Sequence, residues 1–328
     1  MGDGATVEQD LRALVALRAE ADEVDRPGEP AVTYEQLVQE HATLESDGML
    51  ASMWVARGDA GIAAFGWLGL PRQENTHKCI VHIAVRPGLR RQGIGTAFLR
   101  ALLPVASAAG RREARGGFRG GAAAEAWAGT VGFATVHGFL NQELVFGDVD
   151  PGLWDVPVAE GYSLREWVGA APEELLASFA AARQAMHDAP PGDSAWQAPE
   201  WTPQKVRERE AQVASLGAEQ RLVVAVRDAD LSVAGLTEVF TSDRQPDRAQ
   251  QSDTAVLREH RGRGLGRALK ATMLTRLVAQ RPALVRITTQ TAVDNVHMAR
   301  VSREVGFRDL WVDTVVEAEL DRLAQHGA

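Results

Sequence analysis

Residues 83–97 read IAVRPGLRRQGIGTA, and residues 254–268 read TAVLREHRGRGLGRA. Each stretch has an Ala-Val pair, four further residues and then R-x-x-G-x-G, so Arg90 and Arg261 lie 171 positions apart. A second landmark repeats at nearly the same offset, because Gly132-Phe133 and Gly306-Phe307 are 174 positions apart. Two landmarks at one spacing indicate an internal duplication, with one structural unit in each half of the chain.

Each repeated stretch ends a predicted strand and opens a predicted helix through a glycine-rich turn. The first backbone N–H groups of a helix have no internal partner and lie at the positive end of the helix dipole. They therefore form an anion site. Glycines let the backbone approach a phosphate closely and adopt positive φ, and arginines add charge-assisted hydrogen bonds. The loops Arg90–Thr96 and Arg261–Arg267 are thus predicted to bind a pyrophosphate.

Neither loop fits the other common phosphate motifs. A Walker loop requires G-x-x-x-x-G-K-[ST], and both copies lack the Lys-Ser/Thr pair. A dinucleotide fingerprint requires a third small residue where the copies have Phe98 and Leu269. The remaining alternative is that each G-x-G is only a tight strand–helix turn. The duplication of the loop, with arginines in both copies, favours phosphate binding.

A chain of 328 residues is long enough for two domains. We predict an N-terminal domain over residues 1–150, a linker over residues 151–161 and a C-terminal domain over residues 162–328. The C-terminal half shows the order β-α-α-β-β-β-α-β-α-β, which is a mixed α/β arrangement. The N-terminal half lacks a first strand before Gln9, and the glycines of EARGGFRGG at residues 113–121 weaken its fifth strand. This half is therefore predicted to be partly degenerate.

Composition and charge exclude several classes of function and site. The net charge of −9 argues against nucleic-acid binding and suits an amine-bearing substrate, with solubility alone as the alternative. Cys79 is the only cysteine, and no His, Asp or Glu group has metal-ligand spacing, so no disulfide and no metal is predicted. We find no signal peptide and no run of 18 apolar residues, so we expect a cytoplasmic protein without a membrane partner. Oligomeric state is not predicted.

These motifs resemble the GNAT (Gcn5-related N-acetyltransferase) superfamily. Its R/Q-x-x-G-x-G/A signature is met by RRQGIG at residues 90–95 and by RGRGLG at residues 261–266. Val85 and Pro87 match a V-x-P element that precedes this signature, and the residues Asn295, Met298 and Ala299 resemble the fourth-helix signature. The resemblance covers nearly the whole chain. It is to the tandem two-domain type of actinobacteria, which includes the architecture of mycothiol synthase.

The resemblance implies an α/β protein with two tandem GNAT (acyl-CoA N-acyltransferase) folds, each a mixed, mostly antiparallel sheet flanked by helices. It implies acetyl-CoA as co-substrate and acetyl transfer to a primary amine, which we expect to belong to a small molecule, by direct attack on the thioester. The alternatives are a protein or peptide N-acetyltransferase and a non-catalytic acyl-CoA-binding module. The residues expected to bind acetyl-CoA are Ala84, Val85, Arg90, Arg91, Gln92, Gly93, Ile94, Gly95, Thr96, Ala255, Val256, Arg261, Gly262, Arg263, Gly264, Leu265, Gly266, Arg267 and Asn295.

The two halves differ where such an enzyme needs a base. At the repeat offset, Asp253 corresponds to His82 and Glu238 to Trp67. We therefore predict that the C-terminal half is catalytic and that Asp253 or Glu238 is the base or the amine anchor. The alternatives are a structural hydrogen bond for Asp253 and an edge-strand position for Glu238.

The residue that protonates the departing thiolate is less clear from the sequence. The family often has a Tyr four residues before the Gly-Phe pair, where this chain has Ala128 and Ser302. Ser302 or water is therefore expected to protonate the departing thiolate, or the thiolate leaves unaided.

Overall fold

The computed structural model describes residues 4–25, 32–38, 48–59, 61–188 and 192–326. Its contacts divide the chain into two compact units. The N-terminal unit comprises Met1–Val136, Ser194–Gln197 and Thr314–Ala328, and the C-terminal unit comprises His137–Asp193 and Ala198–Asp313. The predicted domain boundaries at residues 150 and 162 follow the sequence repeat rather than these contacts, and they stay a prediction.

The N-terminal unit is a sheet with helices on both faces. Its strand order is β1-β2-β3-β4-β11, where β3 and β4 run parallel and the pairs β1–β2 and β2–β3 are antiparallel. The elements are α1 (Gly4–Asp25), β1 (Met49–Gly58), β2 (Gly61–Pro71), β3 (Lys78–Val85), α2 (Ile94–Ala108), β4 (Glu113–Arg119) and α3 (Ala122–Thr130), with the start of β5 (Ala134–Val145), the end of β11 (Arg308–Glu319) and α8 (Leu320–His326).

The sequence predicts that this half lacks a first strand and has a weakened fifth strand, and these two predictions have different outcomes. A helix, α1, takes the place of a first strand, and among the described residues no strand precedes β1. The fifth strand forms as β4 in spite of Gly116 and Gly117, because it pairs with β3 from Lys78–Glu113 to Ile80–Arg115 and Ala114 is fully buried. Pairing and burial outweigh the low strand propensity of glycine here.

The C-terminal unit has the strand order β11-β5-β10-β9-β8-β7-β6. β10 runs parallel to β9, and the pairs β6–β7, β7–β8 and β8–β9 are antiparallel. The predicted element order of this half is confirmed. Its elements are β6 (Tyr162–Val168), α4 (Glu173–Arg183), α5 (Pro203–Ser215), β7 (Glu219–Arg227), β8 (Val233–Thr241), β9 (Arg248–Val256), α6 (Leu265–Gln280), β10 (Arg286–Ala292) and α7 (Val296–Glu304), with most of β5 and the first half of β11.

Local sequence explains where these helices begin. Thr202 caps α5, since its hydroxyl accepts a hydrogen bond from the backbone N–H of Lys205 at 3.2 Å, and Pro203 fits the first helical position. The strands β7 and β8 are apolar on both faces because α6 covers one face and α4 with α5 covers the other. These two strands thus form a buried middle layer between the helices.

The predicted linker is packed rather than extended into solvent. It begins with a short 3₁₀ turn, Pro151–Trp154, and then has no regular structure up to the start of β6. Trp154 is buried and its indole N–H donates to the carbonyl oxygen of Val305 at 2.9 Å. Trp154 therefore anchors residues 151–161 to the core of the C-terminal unit, and Val156 and Ala159 pack against the same core.

One glycine is required for the packing of α2 on the N-terminal sheet. A Cβ on Gly66 would lie 2.3 Å from the carbonyl oxygen of His82 and 2.8 Å from the ring of Phe98. We expect Gly66→Ala to lower the free energy of unfolding by about 1–3 kcal/mol, as overpacking does, measured by urea denaturation. Gly129→Ala is the matched control: it lies in α3 with no atom within 4 Å of its Cβ, so we expect stabilisation by up to about 1 kcal/mol. Equal stability of Gly66→Ala and the parent chain would contradict the packing described.

Candidate active site

The glycine-rich loop of the C-terminal unit has the geometry of an anion site. The side chain of Arg261 folds back and donates from Nε to the carbonyl oxygen of Val256 at 2.9 Å, which fixes the loop to the end of β9. Gly262 and Gly264 both have φ of +76°. Gly264 is the residue before the first turn of α6, and no side chain caps that turn. The first N–H groups of α6 therefore point toward the loop without a side-chain acceptor.

The loop of the N-terminal unit repeats this geometry with two differences. Gly93 precedes α2 with φ of +80°, again without a side-chain cap, and Arg90 donates from Nε to the carbonyl oxygen of Val85 at 3.1 Å. Arg91 has φ of +65° at the position of Gly262, a conformation that costs a non-glycine residue about 1–2 kcal/mol. The guanidinium of Arg90 is also bound by both oxygens of Asp25, at 2.7 and 2.6 Å. The carboxylate of Asp25 is therefore already bound to the arginine that would contact a phosphate.

The strand that leads into the C-terminal loop separates from its neighbour. β9 pairs in parallel with β10 from Arg248–Arg286 to Gln251–Thr289, and the pairing ends there although β9 continues to Val256. Asp253 lies on this separated part. On the other side of β9 a register shift opposes two residues, Ser252 and Asp253, to the single residue Glu238 on β8. This is a β-bulge, which re-aims the side chains that it carries.

The bulge brings the two predicted carboxylates together around one arginine. Arg183, at the end of α4, donates to Glu238 at 2.9 and 3.4 Å and to Asp253 at 3.0 Å. The side-chain amide of Gln220 also donates to Glu238. The Glu238 side chain is 2% exposed, whereas that of Asp253 is 24% exposed. Only Asp253 can therefore meet a molecule from solvent.

The electrostatics of this cluster raise the proton affinity of Asp253. Burial and the neighbouring charge of Glu238 raise its pKa to about 6, although Arg183 and Arg209 act in the opposite direction. Burial opposes the charge of Arg183, but Glu238 and Asp253 outweigh this and its pKa is raised, so it stays a cation. A carboxylate with a pKa near 6 is ionised at neutral pH and accepts a proton more readily than an ordinary one.

Other predicted site residues lie in different surroundings. Asn295 caps α7, since its side-chain oxygen accepts from the N–H of Met298 at 3.2 Å. Ser302 is fully buried, and its hydroxyl has no hydrogen-bond partner among the described residues. In the N-terminal unit, His82 stacks on Trp67 with ring centroids 6.1 Å apart and is tilted against Phe65 at 5.8 Å. Among the hydrogen bonds and ion pairs of the described residues, none joins Asn295 or Ser302 to Glu238, Asp253 or Arg183.

One neighbour of the two carboxylates, Arg183, was missed by the sequence analysis. The Arg183 guanidinium carbon lies 3.9 Å from the centroid of the Trp201 ring, a favourable cation–aromatic contact. A signal for Arg183 was present: it follows Leu176, Phe179 and Ala180 at helical spacing, so it falls on the buried face of α4. A lone arginine on an apolar face predicts a buried acidic partner.

Comparison with known proteins agrees with this geometry. A model described as "Acetyltransferase (GNAT) family" matches residues 182–307, and one described as "Acetyltransferase (GNAT) domain" matches residues 50–139. The chain therefore belongs to the GNAT family of acetyltransferases, with one family domain in each half.

Similar proteins of the same length are known. The mycothiol acetyltransferase of Mycobacterium avium (strain 104) is 27% identical over 314 residues, 94% of this chain and 93% of that protein. The mycothiol acetyltransferase of Nocardia farcinica (strain IFM 10152) is 28% identical over 318 residues, 96% and 95% of the two chains. A tandem GNAT protein from the clavulanic acid biosynthesis pathway has the same fold, with a TM-score of 0.77, 24% identity and 95% of each chain covered. The protein is thus a tandem, acetyl-CoA-dependent N-acetyltransferase.

The residues of the C-terminal loop fit the pyrophosphate of acetyl-CoA. Positive φ at Gly262 and Gly264 exposes the backbone, and a Cβ at either position would meet no protein atom within 4 Å, so this side of the loop is open. The Nε of Arg267, in the first turn of α6, is buried without a hydrogen-bond partner among the described residues. Within the same residues, no three His, Cys, Asp or Glu side chains are grouped to hold a metal ion, and no helix is long and apolar enough to cross a membrane.

We expect Gly264→Ala to weaken CoA binding by about tenfold, since a Cβ at positive φ costs about 1–2 kcal/mol and shifts the loop. Isothermal titration calorimetry with CoA measures the effect. Gly217→Ala is the matched control, because Gly217 also has positive φ, +69°, but lies in the turn after α5. It should lose stability and keep its CoA affinity. Unchanged affinity in Gly264→Ala would show that the loop does not bind the pyrophosphate.

Proposed function

We propose that the C-terminal unit transfers the acetyl group of acetyl-CoA to a primary amine of a small molecule, with Asp253 as the general base. The observation that carries this proposal is the position of Asp253: a partly exposed carboxylate on the separated part of β9, three residues before the strand meets the phosphate loop at Val256. The N-terminal unit has His82 at the corresponding position, stacked on Trp67. We therefore propose that this unit binds CoA or supports the other.

The reaction needs a neutral amine. Asp253 takes one proton from the substrate ammonium, directly or through a water molecule, and the freed nitrogen lone pair attacks the thioester carbonyl carbon. The backbone N–H at the end of β9, near Val256, stabilises the negative oxygen that forms. The carbon–sulfur bond then breaks, and the products are the N-acetylated amine and the CoA thiol.

The arrangement around Asp253 sets the pH at which it works. Glu238 is buried and held by Arg183 and Gln220, so we assign it an electrostatic role rather than that of base. Its negative charge favours a proton on Asp253, while Arg183 limits the effect. The leaving thiolate needs little help, because a thiol pKa is about 8.5. Ser302 is fully buried, and we propose that water protonates the sulfur.

Two observations support a small amine as acceptor. The relatives from Mycobacterium avium and Nocardia farcinica are named mycothiol acetyltransferase and match this chain over almost its whole length. The net charge of −9 raises the local concentration of cationic amines around the protein. A panel of small amines and of peptides with free N-termini, assayed by release of CoA thiol, distinguishes this acceptor class from a protein substrate.

We expect Asp253→Asn to lower kcat/KM by about 100-fold, the usual contribution of a general base. In the parent enzyme kcat/KM should rise with pH through about 6, because Asp253 must lose its proton to act. In Asp253→Asn this rise should be absent. Glu238→Gln should move the midpoint of the rise to lower pH, since it removes the charge that favours protonation. The measurement is the pH dependence of thiol release.

The matched control is Asp243→Asn, a carboxylate that is 93% exposed in the turn after β8. It should leave the activity and the pH profile unchanged. If Asp253→Asn keeps the parental activity, or if no amine releases thiol, the proposed function is wrong.

A further inference from the structure

A lysine lies in the core beneath the candidate site, and the proposed reaction does not use it. Lys270, on α6, is 1% exposed, and its ammonium nitrogen is 5.2 Å from the ring centroid of Phe307. Burial lowers its pKa to about 7. Among the described residues its hydrogen-bond acceptor is the side-chain oxygen of Gln251, at 2.5 Å. Burying an amine is costly unless it is hydrogen-bonded. The presence of a lysine at this buried position therefore needs an explanation, and its contact with Gln251 supplies one.

The contact is the first link of a buried chain of hydrogen bonds. Gln251 accepts from Lys270 at Oε1 and donates from Nε2 to the hydroxyl of Thr237 at 2.7 Å. The hydroxyls of Thr237 and Thr254 are joined at 2.8 Å. Gln251 and Thr237 are 2% and 0% exposed. Within this series of hydrogen bonds, Lys270 fixes the orientation of the Gln251 amide, because Oε1 must face the lysine and Nε2 must face Thr237.

These side-chain hydrogen bonds span the bulge that carries Asp253. On β9, Gln251 and Thr254 are the residues on either side of Ser252 and Asp253. On β8, Thr237 pairs with Thr254, and the next pair is Val239 with Gln251. The side chains of Gln251, Thr237 and Thr254 thus connect both ends of the two-residue bulge. The bulge has lost its ladder hydrogen bonds locally, so these side-chain bonds supply the constraint that the backbone lacks.

We propose that Lys270 and Gln251 are positioning residues, which hold the bulge so that the carboxylate of Asp253 faces the reacting amine. This inference rests on the proposed function of Asp253. It assigns Lys270 a role through Gln251 rather than through contact with a substrate. The groups that face Asp253 itself are Glu238 on β8, Arg183 on α4 and Arg209 on α5, and none of them is altered by the variants below.

The first test is Lys270→Met, which keeps the length and apolar volume of the side chain and removes the donor. We expect kcat to fall by about tenfold or more, within the range caused by small misplacements of catalytic groups, with KM for acetyl-CoA within about twofold. The rise of kcat/KM with pH should move from about 6 toward the ordinary carboxyl value of about 4, because a relaxed bulge admits water to Asp253. Gln251→Leu should give the same changes.

A double variant tests whether the two residues act as one unit. The loss of kcat in Lys270→Met/Gln251→Leu should be no larger than that of either single variant, since both break the same chain of hydrogen bonds. Thr237→Val, which removes one hydroxyl and keeps the volume, gives the same readouts if Lys270→Met does not fold. Fully additive losses would overturn the proposal.

The control is Leu274→Ala, one turn further along α6, which is also buried and has no part in the chain. It should lower the melting temperature and leave the pH profile unchanged. If Lys270→Met and Thr237→Val behave like Leu274→Ala, these hydrogen bonds have only a structural role and the proposal is wrong. If Asp253→Asn itself leaves activity unchanged, the proposed function fails first. The two failures are therefore distinguishable.

Discussion

The site depends on the early end of one parallel strand pair. β9 and β10 pair over four residues, up to Gln251 and Thr289, and β9 then continues to the glycine-rich loop with β8 as its neighbour on the other side. A continuous ladder would have used the backbone groups of residues 252–256 for the sheet, and no ligand could approach them. The N-terminal unit repeats the device, since β3 and β4 pair from Lys78–Glu113 to Ile80–Arg115 and β3 runs on to Val85. The separation is therefore a property of the fold, and side chains decide what each copy does with it.

The C-terminal copy places two carboxylates and one arginine at this separation. Both carboxylates bind the buried Arg183, so removing this arginine would leave two negative side chains without their shared cation. The two acids are not equivalent, because Glu238 has Gln220 as a further donor and is less exposed than Asp253. Glu238 is thereby held in place by its donors, and Asp253 is the acid that we propose exchanges a proton. This division of roles comes from burial and from the number of donors rather than from residue type.

How much of this the sequence predicts depends on whether a feature is local. The geometry of the two glycine-rich loops was predictable because glycines, arginines and the helix start lie within seven consecutive residues. The proximity of Asp253 and Glu238 was partly predictable, because the two strands that carry them follow one another in the sequence and are neighbours in the sheet. The spacing of α4 indicates that Arg183 is buried, but its contact with Asp253 was not predictable, because the two residues are 70 positions apart and meet only through the packing of α4. Strand β4 formed against its glycine content for a similar reason: long-range pairing overrode local preference.

The last strand has a consequence for biosynthesis. β11 begins in the C-terminal unit, and its second half, with α8, completes the N-terminal unit, whose buried cluster includes Val316, Leu320 and Leu323. Domains usually fold in order as they leave the ribosome. Here the N-terminal unit lacks one strand of its sheet until residues 314–323 have emerged. Its folding is therefore coupled to the synthesis of residues 314–323, and a chain terminated before them would expose the apolar surface of a unit encoded far upstream.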